Sequence, residues 1–189
     1  MKIINIRSEA GKKYEKPLWE LYERAFPEAE KKPLWLFEKM EAEGRLEILS
    51  LEQEGRFAGL IINMISGDKA LLDYFAIEDS VRGTGLGSLA IQEMLERFRD
   101  RKYILEIEAL NPQAENYEER KRRKHFYMKN GVKETGVFAY VYGTDFELLS
   151  SDGVLTYEEY AGFLEKMMKD QVILAGKMHP MEDPQKKDI

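Results

Sequence analysis

The sequence contains no cysteine and only two histidines, His125 and His179, among its 189 residues. The absence of cysteine excludes disulfide bonds, thiolate metal sites and a cysteine nucleophile. Two histidines are too few for a metal centre built from imidazole ligands. We therefore predict that the protein works without a metal ion.

Long hydrophobic runs are also missing, and no stretch approaches the ~18 apolar residues that a membrane-spanning helix needs. Met1-Lys2 leads into a strand-like segment rather than a signal peptide. These features predict a cytoplasmic protein that has no membrane partner. The net charge of −6 argues against nucleic acid as a partner and favours a cationic one.

The composition, 43% hydrophobic and 34% charged, is that of a globular chain with a sizeable core. We expect one domain over residues 1–150. Residues 151–189 are expected to form a C-terminal helix and a tail, packed on that domain or trailing from it. The end of the tail, "HPMEDPQKKDI", is polar and contains prolines, so we expect it to be frayed.

Hydrophobic periodicity changes repeatedly along the chain between the helical period and the strand period. It predicts a strand, two helices, a three-strand antiparallel meander, a glycine-rich loop with a helix, a strand, a charged helix, a hairpin and a last helix. This mixed order indicates an α/β (α+β) fold with the glycine loop near its middle.

The glycine loop, "VRGTGLGS" at residues 81–88, lies between the apolar run "LLDYFAI" and the helical pattern "LAIQEMLERF". Glycines that lead into a helix N-terminus present free N–H groups and the positive end of the helix dipole, which together bind phosphate. A P-loop is excluded because no lysine follows the glycines. The segment from Gly85 to Ala90 does match the dinucleotide fingerprint, but the antiparallel meander before it is not a Rossmann context.

The hexapeptide from Arg82 to Gly87 resembles the acetyl-CoA pyrophosphate loop of the GNAT superfamily of N-acetyltransferases. Two longer blocks carry the same resemblance, "FAIEDSVRGTGLGSLAIQEML" and "FYMKNGVKETG", within residues 45–145. The resemblance implies a mixed, mostly antiparallel sheet flanked by helices, whose fourth and fifth strands are parallel and splayed. It also implies transfer of an acetyl group from acetyl-CoA to an amine by direct attack in a ternary complex.

The resemblance also assigns residues to the co-substrate. The loop would hold the pyrophosphate, and the end of the fourth strand would line the slot for the pantetheine arm, where a backbone N–H near Ile77 would polarise the thioester carbonyl. Read without the family, the strand residues are ordinary sheet core. The predicted cofactor-binding residues are Phe75, Ala76, Ile77, Arg82, Gly83, Thr84, Gly85, Leu86, Gly87, Ser88 and Asn111.

The predicted catalytic residues are Tyr127 and Glu108. Tyr127 matches the tyrosine that serves as general acid in many GNAT enzymes, although a helix-end aromatic packed on the core would have the same sequence context. An acceptor amine must lose a proton, and Glu106 and Glu108 share one face of the fifth strand. Glu108 is the first choice for the base and Asp73 the next, while the alternative is an acidic, half-exposed strand face.

The acceptor is predicted only as a class. Aromatic and acidic residues in the N-terminal helices and the hairpin suit a cation, so a small amine, an aminoglycoside-like polyamine, an amino acid or a protein N-terminus are all candidates. Arg122, Arg123 or Lys124 could meet the 3′-phosphate of the cofactor or simply form a solvated helix face. A homodimer and a non-catalytic acetyl-CoA sensor are both compatible with the sequence.

Overall fold

A computed structural model describes residues 1–168 and 178–186 of the chain. Eight strands and five α-helices occur among these residues, and all of them except the last strand follow the predicted order. The strands are β1 (Lys2–Asn5), β2 (Leu46–Gln53), β3 (Arg56–Ser66), β4 (Lys69–Ile77), β5 (Lys102–Glu108), β6 (Lys133–Val141), β7 (Thr144–Ser150) and β8 (Met178–Met181). The helices are α1 (Glu15–Ala25), α2 (Leu34–Ala42), α3 (Leu86–Arg97), α4 (Tyr117–Lys129) and α5 (Tyr157–Met167).

The strands form one mixed sheet in the order β1-β2-β3-β4-β5-β7-β6-β8. Neighbours are antiparallel at β1–β2, β2–β3, β5–β7, β6–β7 and β6–β8, whereas β4 and β5 run parallel. The predicted fold class is therefore confirmed. The splaying of β4 from β5 stays a prediction.

The chain divides into two compact units. The first contains residues 1–65 and 72–94, and the second contains residues 66–71 and 95–189. The division into one domain with a C-terminal appendage at residue 150 remains an expectation. No helix within residues 1–168 and 178–186 is long and apolar enough to cross a bilayer.

An aromatic cluster forms the centre of the first unit. On α1, Leu18, Leu21 and Tyr22 are buried at the i, i+3, i+4 spacing that the sequence shows. The Tyr22 ring meets Phe37 of α2 at 5.4 Å and Tyr74 of β4 at 4.9 Å, in both cases edge to face. Such pairs are each worth about 0.5–1.5 kcal/mol beyond their area burial, so α1 and α2 are held firmly on β4.

In the second unit, the hairpin β6–β7 turns at Tyr142 and Gly143, which both have positive φ angles of 48° and 95°. Two central residues with positive φ are typical of the type I′ turn that suits a tight hairpin. The β7 residue Glu147 is only 2% exposed, and its carboxylate accepts a hydrogen bond from Lys124 of α4 at 2.8 Å. This ion pair fixes α4 against the hairpin, and burial raises the pKa of Glu147.

The expectation of a frayed C-terminal end was wrong for part of the tail. Residues Met178–Met181 form β8, which pairs antiparallel with β6, and a short 3-10 helix follows at Pro184–Lys186. The ring of His179 stacks on Tyr140 with centroids 4.8 Å apart. Pairing with β6 supplies the backbone hydrogen bonds that the short, proline-containing segment could not provide by itself.

Candidate active site

The glycine loop leads directly into α3, which begins at Leu86. Within the described residues, none of the backbone N–H groups of residues 83–88 donates to a protein acceptor. The first N–H groups of any helix lack intrahelical partners and lie at the positive end of its dipole. The loop and the first turn of α3 therefore present a row of unpaired donors that suits an anionic group such as a diphosphate.

Two glycines of the loop have backbone angles that side chains disfavour. Gly83 has a φ of +79° and Gly85 a φ of +84°, and no atom lies within 4 Å of the position that a Cβ would take at either residue. The requirement for glycine is therefore conformational and not a matter of space. The open space above the backbone also leaves the N–H row accessible to a ligand.

The predicted loop residues Arg82 and Thr84 have their polar groups directed within the loop. The Arg82 guanidinium pairs with Asp79 at 2.8 Å and also donates to the Ile77 carbonyl at 3.3 Å, and its side chain is 64% exposed. The Thr84 hydroxyl donates to the Val81 carbonyl at 2.8 Å. Both contacts stabilise the loop conformation, while Leu86 is buried and anchors the start of α3.

The strand residues Phe75, Ala76 and Ile77 form the end of β4, with Ala76 buried and the other two half-buried. The N–H of the next residue, Glu78, donates to the Ala58 carbonyl of β3 at 3.0 Å. Successive N–H groups of a strand point to opposite edges, so the N–H of Ile77 points away from β3. This is the orientation that the predicted contact with a pantetheine arm or a thioester carbonyl requires.

Glu108, at the end of β5, lies under one face of α4. Its two oxygens contact the Asn116 amide at 3.2 and 3.3 Å, Arg120 at 2.8 Å and Arg123 at 2.9 Å. These three partners occur at i, i+4 and i+7 on the helix, so they share one face. An ionised carboxylate accepts at both oxygens, and each Glu108 oxygen contacts the Asn116 amide and one guanidinium group.

We expect Glu108→Gln to lower the melting temperature by about 3–12 °C. The substitution removes the charge on which two guanidinium contacts depend, and hydrogen bonds to charged groups contribute about 1.5–3 kcal/mol. For a chain of this size, 1 kcal/mol shifts the melting temperature by about 2–4 °C. Thermal unfolding followed by circular dichroism measures the effect.

Glu118→Gln is the matched control on the same helix. Glu118 pairs with Lys121 at 2.8 Å, but both side chains are largely exposed, at 69% and 44%. Exposed pairs contribute about 0–1 kcal/mol, so this variant should unfold near the wild-type temperature. Equal shifts for the two variants would contradict the anchoring role of Glu108.

The other acid of this strand face, Glu106, accepts a hydrogen bond from the Tyr160 hydroxyl of α5 at 2.6 Å. Tyr160 is completely buried. Glu106 therefore connects the sheet to α5, and the two strand acids are each engaged by a different helix.

Tyr127 lies one turn after Arg123, on the same face of α4. Its side chain is half-buried, and its ring packs edge to face against Phe126 with centroids 5.2 Å apart. Within the described residues the hydroxyl has no protein hydrogen-bond partner. Burial raises the pKa of Tyr127 to about 12, and the positive charge of Arg123 opposes that shift. The phenol is therefore fully protonated at neutral pH.

The remaining predicted residues near α4 have local partners. The Asn111 side-chain oxygen accepts from the Gln113 N–H at 2.9 Å, which forms a turn between β5 and α4. Of the three basic residues considered for a 3′-phosphate, Arg123 pairs with Glu108 and Lys124 with Glu147, whereas Arg122 is exposed. A direct contact of Asn111 or Arg122 with a cofactor stays a prediction.

Sequence reasoning missed a lysine that lies against Asp73, the second candidate base. Lys32, between α1 and α2, places its ammonium 2.7 Å from Asp73 Oδ1 and 4.8 Å from the centroid of the Tyr74 ring. The sequence signal was the polar pair Asp73-Tyr74 inside the largely apolar run "ALLDYFAI".

No group of three or more acidic or histidine side chains among the described residues has the arrangement of a metal site.

Comparison with known proteins places these features in a known family and fold. Residues 15–131 match the family model described as the acetyltransferase (GNAT) family. No curated protein matches the chain in sequence.

Three solved structures share the fold. A protein from Bacteroides thetaiotaomicron, described as an acetyltransferase from the GNAT family, superposes with a TM-score of 0.69 at 23% identity, over 89% of this chain and 97% of that one. An aminoglycoside 6′-N-acetyltransferase complexed with coenzyme A superposes with a TM-score of 0.54 at 16% identity, over 79% of this chain and 96% of that one. The ribosomal-protein-S18-alanine N-acetyltransferase from Escherichia coli superposes with a TM-score of 0.54 at 19% identity, over 83% of this chain and 96% of that one. At these identities the likeness establishes the fold alone.

Proposed function

The chain belongs to the acetyltransferase (GNAT) family and is an acyltransferase, and from this premise we propose that it transfers the acetyl group of acetyl-CoA to a primary amine. The observation that carries the choice of co-substrate is the row of unpaired N–H groups over residues 83–88 at the start of α3. These donors suit the diphosphate of coenzyme A. Coenzyme A is also bound in a structural neighbour with the same fold.

The proposed reaction is a direct attack in a ternary complex. The amine nitrogen forms a bond to the thioester carbonyl carbon, and the oxygen of the tetrahedral intermediate is stabilised by a backbone N–H near Ile77. The carbon–sulfur bond then breaks, and the sulfur leaves as a thiolate. The amine loses one proton to a base and the thiolate gains one from an acid, so the products are an amide and free coenzyme A.

Tyr127 is proposed as the acid that protonates the thiolate. Its pKa of about 12 keeps the proton on the phenol at any physiological pH. Its hydroxyl has no protein acceptor within the described residues, so the proton is available to a ligand. The hydroxyl without a protein acceptor supports the assignment that the family resemblance suggested, whereas the raised pKa makes the phenol a weak donor.

Two carboxylates are candidates for the base, and their contacts differ. Both oxygens of Glu108, the first choice from sequence, already contact the Asn116 amide and a guanidinium group. Asp73 Oδ1 already pairs with the ammonium group of Lys32. Its other oxygen, Oδ2, is buried without a hydrogen-bond partner among the described residues. The contacts therefore favour Asp73 for the amine and a positioning role for Glu108, which holds the helix that carries Tyr127.

The acceptor is proposed as a primary amine that is cationic in solution. An ammonium group with a pKa near 10.4 needs roughly 4.6 kcal/mol to lose its proton at pH 7, and a neighbouring carboxylate supplies a proton acceptor. One neighbour in the same fold is named for aminoglycosides and another for the alanine of a ribosomal protein. Both kinds of acceptor carry a primary amine, which is the chemistry proposed for this chain.

The experiment that tests the proposed function is a calorimetric titration of the purified protein with acetyl-CoA, with NAD as a parallel ligand. We expect saturable binding of acetyl-CoA in the micromolar range and no binding of NAD, because the loop lacks a Rossmann context. A panel of primary amines is then screened for release of free coenzyme A with a thiol reagent.

Each result of this experiment separates two functions. Binding of acetyl-CoA followed by amine-dependent release of coenzyme A supports the transferase. Binding without turnover of any amine would instead favour a non-catalytic acetyl-CoA sensor. Binding of NAD alone would contradict the proposed co-substrate and every role given to the glycine loop.

A further inference from the structure

The contact between Lys32 and β4 resembles a bound ligand more than a surface ion pair. The Lys32 side chain is 15% exposed and the Asp73 side chain 7% exposed, and their charged atoms are 2.7 Å apart. The Lys32 ammonium also lies 4.8 Å from the centre of the Tyr74 ring and 3.5 Å from the Tyr74 hydroxyl. A carboxylate together with an aromatic face is the arrangement that proteins use to recognise alkylammonium groups.

The Lys32 ammonium satisfies this site incompletely. Asp73 Oδ2 is buried and has no hydrogen-bond partner among the described residues, although a primary ammonium group carries three N–H donors. The tether to the backbone restricts where Nζ can lie. An untethered ammonium group has the freedom to satisfy both carboxylate oxygens, and a buried unsatisfied acceptor costs about 1–3 kcal/mol.

The backbone around Lys32 is fixed separately from its side chain. The Lys32 N–H donates to the Tyr22 hydroxyl at 2.8 Å, and the Tyr74 hydroxyl donates to the Glu30 carbonyl at 2.5 Å. The neighbouring Lys31 side chain pairs instead with Glu23 and Glu28. The Lys32 side chain can therefore leave Asp73 without movement of the segment, and it regains rotamer entropy when it does so.

We infer that Asp73 and Tyr74 form the binding site for the ammonium group of the acceptor amine, and that Lys32 is a built-in competitor which the acceptor displaces. This inference rests on the proposed acetyl transfer to a primary amine. Because the occupant is itself a lysine side chain, the site suits an unbranched alkylammonium group, as in a lysine side chain or the end of a polyamine. An α-amino group on a branched carbon fits the same space less well.

The direct test is an NMR titration of the full-length protein with n-butylammonium chloride, which copies the lysine side chain, at constant ionic strength and without acetyl-CoA. We expect Lys32→Met to bind n-butylammonium at least about 10-fold more tightly than wild type. If Lys32 occupies the site for 90–99% of the time, its removal raises the apparent affinity by about 10- to 100-fold. The double variant Lys32→Met/Asp73→Asn should lose this gain.

Lys31→Met is the matched control, because it removes the neighbouring lysine and leaves the Asp73 contact intact. It should bind n-butylammonium as wild type does. Alaninamide, whose ammonium lies on a branched carbon, should bind Lys32→Met more weakly than n-butylammonium does. Equal n-butylammonium affinity for wild type and Lys32→Met, or retention of the gain in the double variant, would overturn the inference.

A second measurement uses the wild-type protein, so that the inference is tested even if Lys32→Met fails to fold because its buried carboxylate lacks a cation. In the wild-type protein, the ε-methylene resonance of Lys32 should move towards the position of free lysine as n-butylammonium saturates the site. An unmoved resonance at saturating n-butylammonium would also overturn the inference. Failure of acetyl transfer alongside intact amine binding would count against the proposed function alone, because this assay contains no acetyl-CoA.

Discussion

The Gly85→Glu variant is expected to bind acetyl-CoA about 10²- to 10³-fold more weakly than wild type. Gly85 has a φ of +84°, and a Cβ there would meet no atom within 4 Å, so the new side chain fits but projects beside the N–H row of residues 83–88. A carboxylate about 4 Å from a phosphate charge costs about 4 kcal/mol at the effective dielectric of a protein surface. Each 1.4 kcal/mol is a tenfold change in affinity.

Two variants at the same position separate charge from backbone strain. Gly85→Ala carries only the cost of a left-handed backbone, about 1–2 kcal/mol, and Gly85→Gln adds the size of the side chain without its charge. We expect the dissociation constants to rise in the order Ala, Gln, Glu when each is measured by calorimetry. The loss of acetyl-CoA affinity in Gly85→Glu should become smaller as salt is added, because salt screens the repulsion between exposed charges.

Circular dichroism must show that the three Gly85 variants are folded. If folded Gly85→Glu binds acetyl-CoA as tightly as wild type, the diphosphate does not lie at this loop. The fold assignment would survive that result, since it depends on the sheet order and the family match and not on this contact.

Local patterns predicted most of the fold because local forces decide it. The i, i+3, i+4 spacing on α1 places one apolar face against the core, and the structure has a helix there with Leu18, Leu21 and Tyr22 buried. The strands β2 and β3 also follow the predicted meander, and both bury runs of consecutive residues. The strand β8 was missed for a physical reason. Its sequence, Met-His-Pro-Met, has no alternation of its own, and only its register with β6 makes it a strand.

The candidate site was predictable as a set of residue types but not as a set of contacts. Glu108 was predicted as the base from its position on β5, without its contacts to Asn116, Arg120 and Arg123, which recur at helical spacing after it. Strand alternation indicates which face an acid occupies, but it does not indicate which helix covers that face. Lys32 was missed because 41 residues separate it from Asp73, and no local period connects positions so far apart.

Glu108 and Tyr127 belong together through α4. Asn116, Arg120 and Arg123 fix one face of the helix on Glu108, and Tyr127 continues that face one turn later. A rigid helix transmits the position of its first turns to its last, so the anchored carboxylate determines where the phenol lies. In the proposed mechanism Glu108 is therefore a positioning residue that does not need to accept a proton.

The Tyr127→Phe variant is expected to lower kcat for amine acetylation by about 10²-fold and to leave the dissociation constant of acetyl-CoA within about twofold of wild type. General acids contribute about 10²- to 10⁴-fold. The effect should lie at the lower end of this range, because a phenol with a pKa of about 12 is a weak proton donor. The thiolate that it protonates has a pKa near 8.5, and the difference between the two pKa values corresponds to roughly 4.8 kcal/mol. Steady-state release of coenzyme A measures kcat, and calorimetry measures binding.

The pH dependence provides an independent readout. Because burial raises the pKa of Tyr127 to about 12, the phenol remains protonated while an amine with a pKa near 10.4 loses its proton. The wild-type kcat/KM should therefore rise with pH up to about pH 10, without a descending limb from this tyrosine. Tyr127→Phe should lower the whole profile without changing its shape.

Tyr117→Phe is the matched control, since Tyr117 lies at the start of the same helix with Lys121 over its ring. Its kcat should equal that of wild type. If Tyr127→Phe also retains full kcat while Gly85→Glu abolishes cofactor binding, the proton reaches the thiolate by another route and the tyrosine is a packing residue. The proposed transfer would then depend on the loop, the amine site and the backbone N–H near Ile77, which are the groups proposed to hold the reacting atoms.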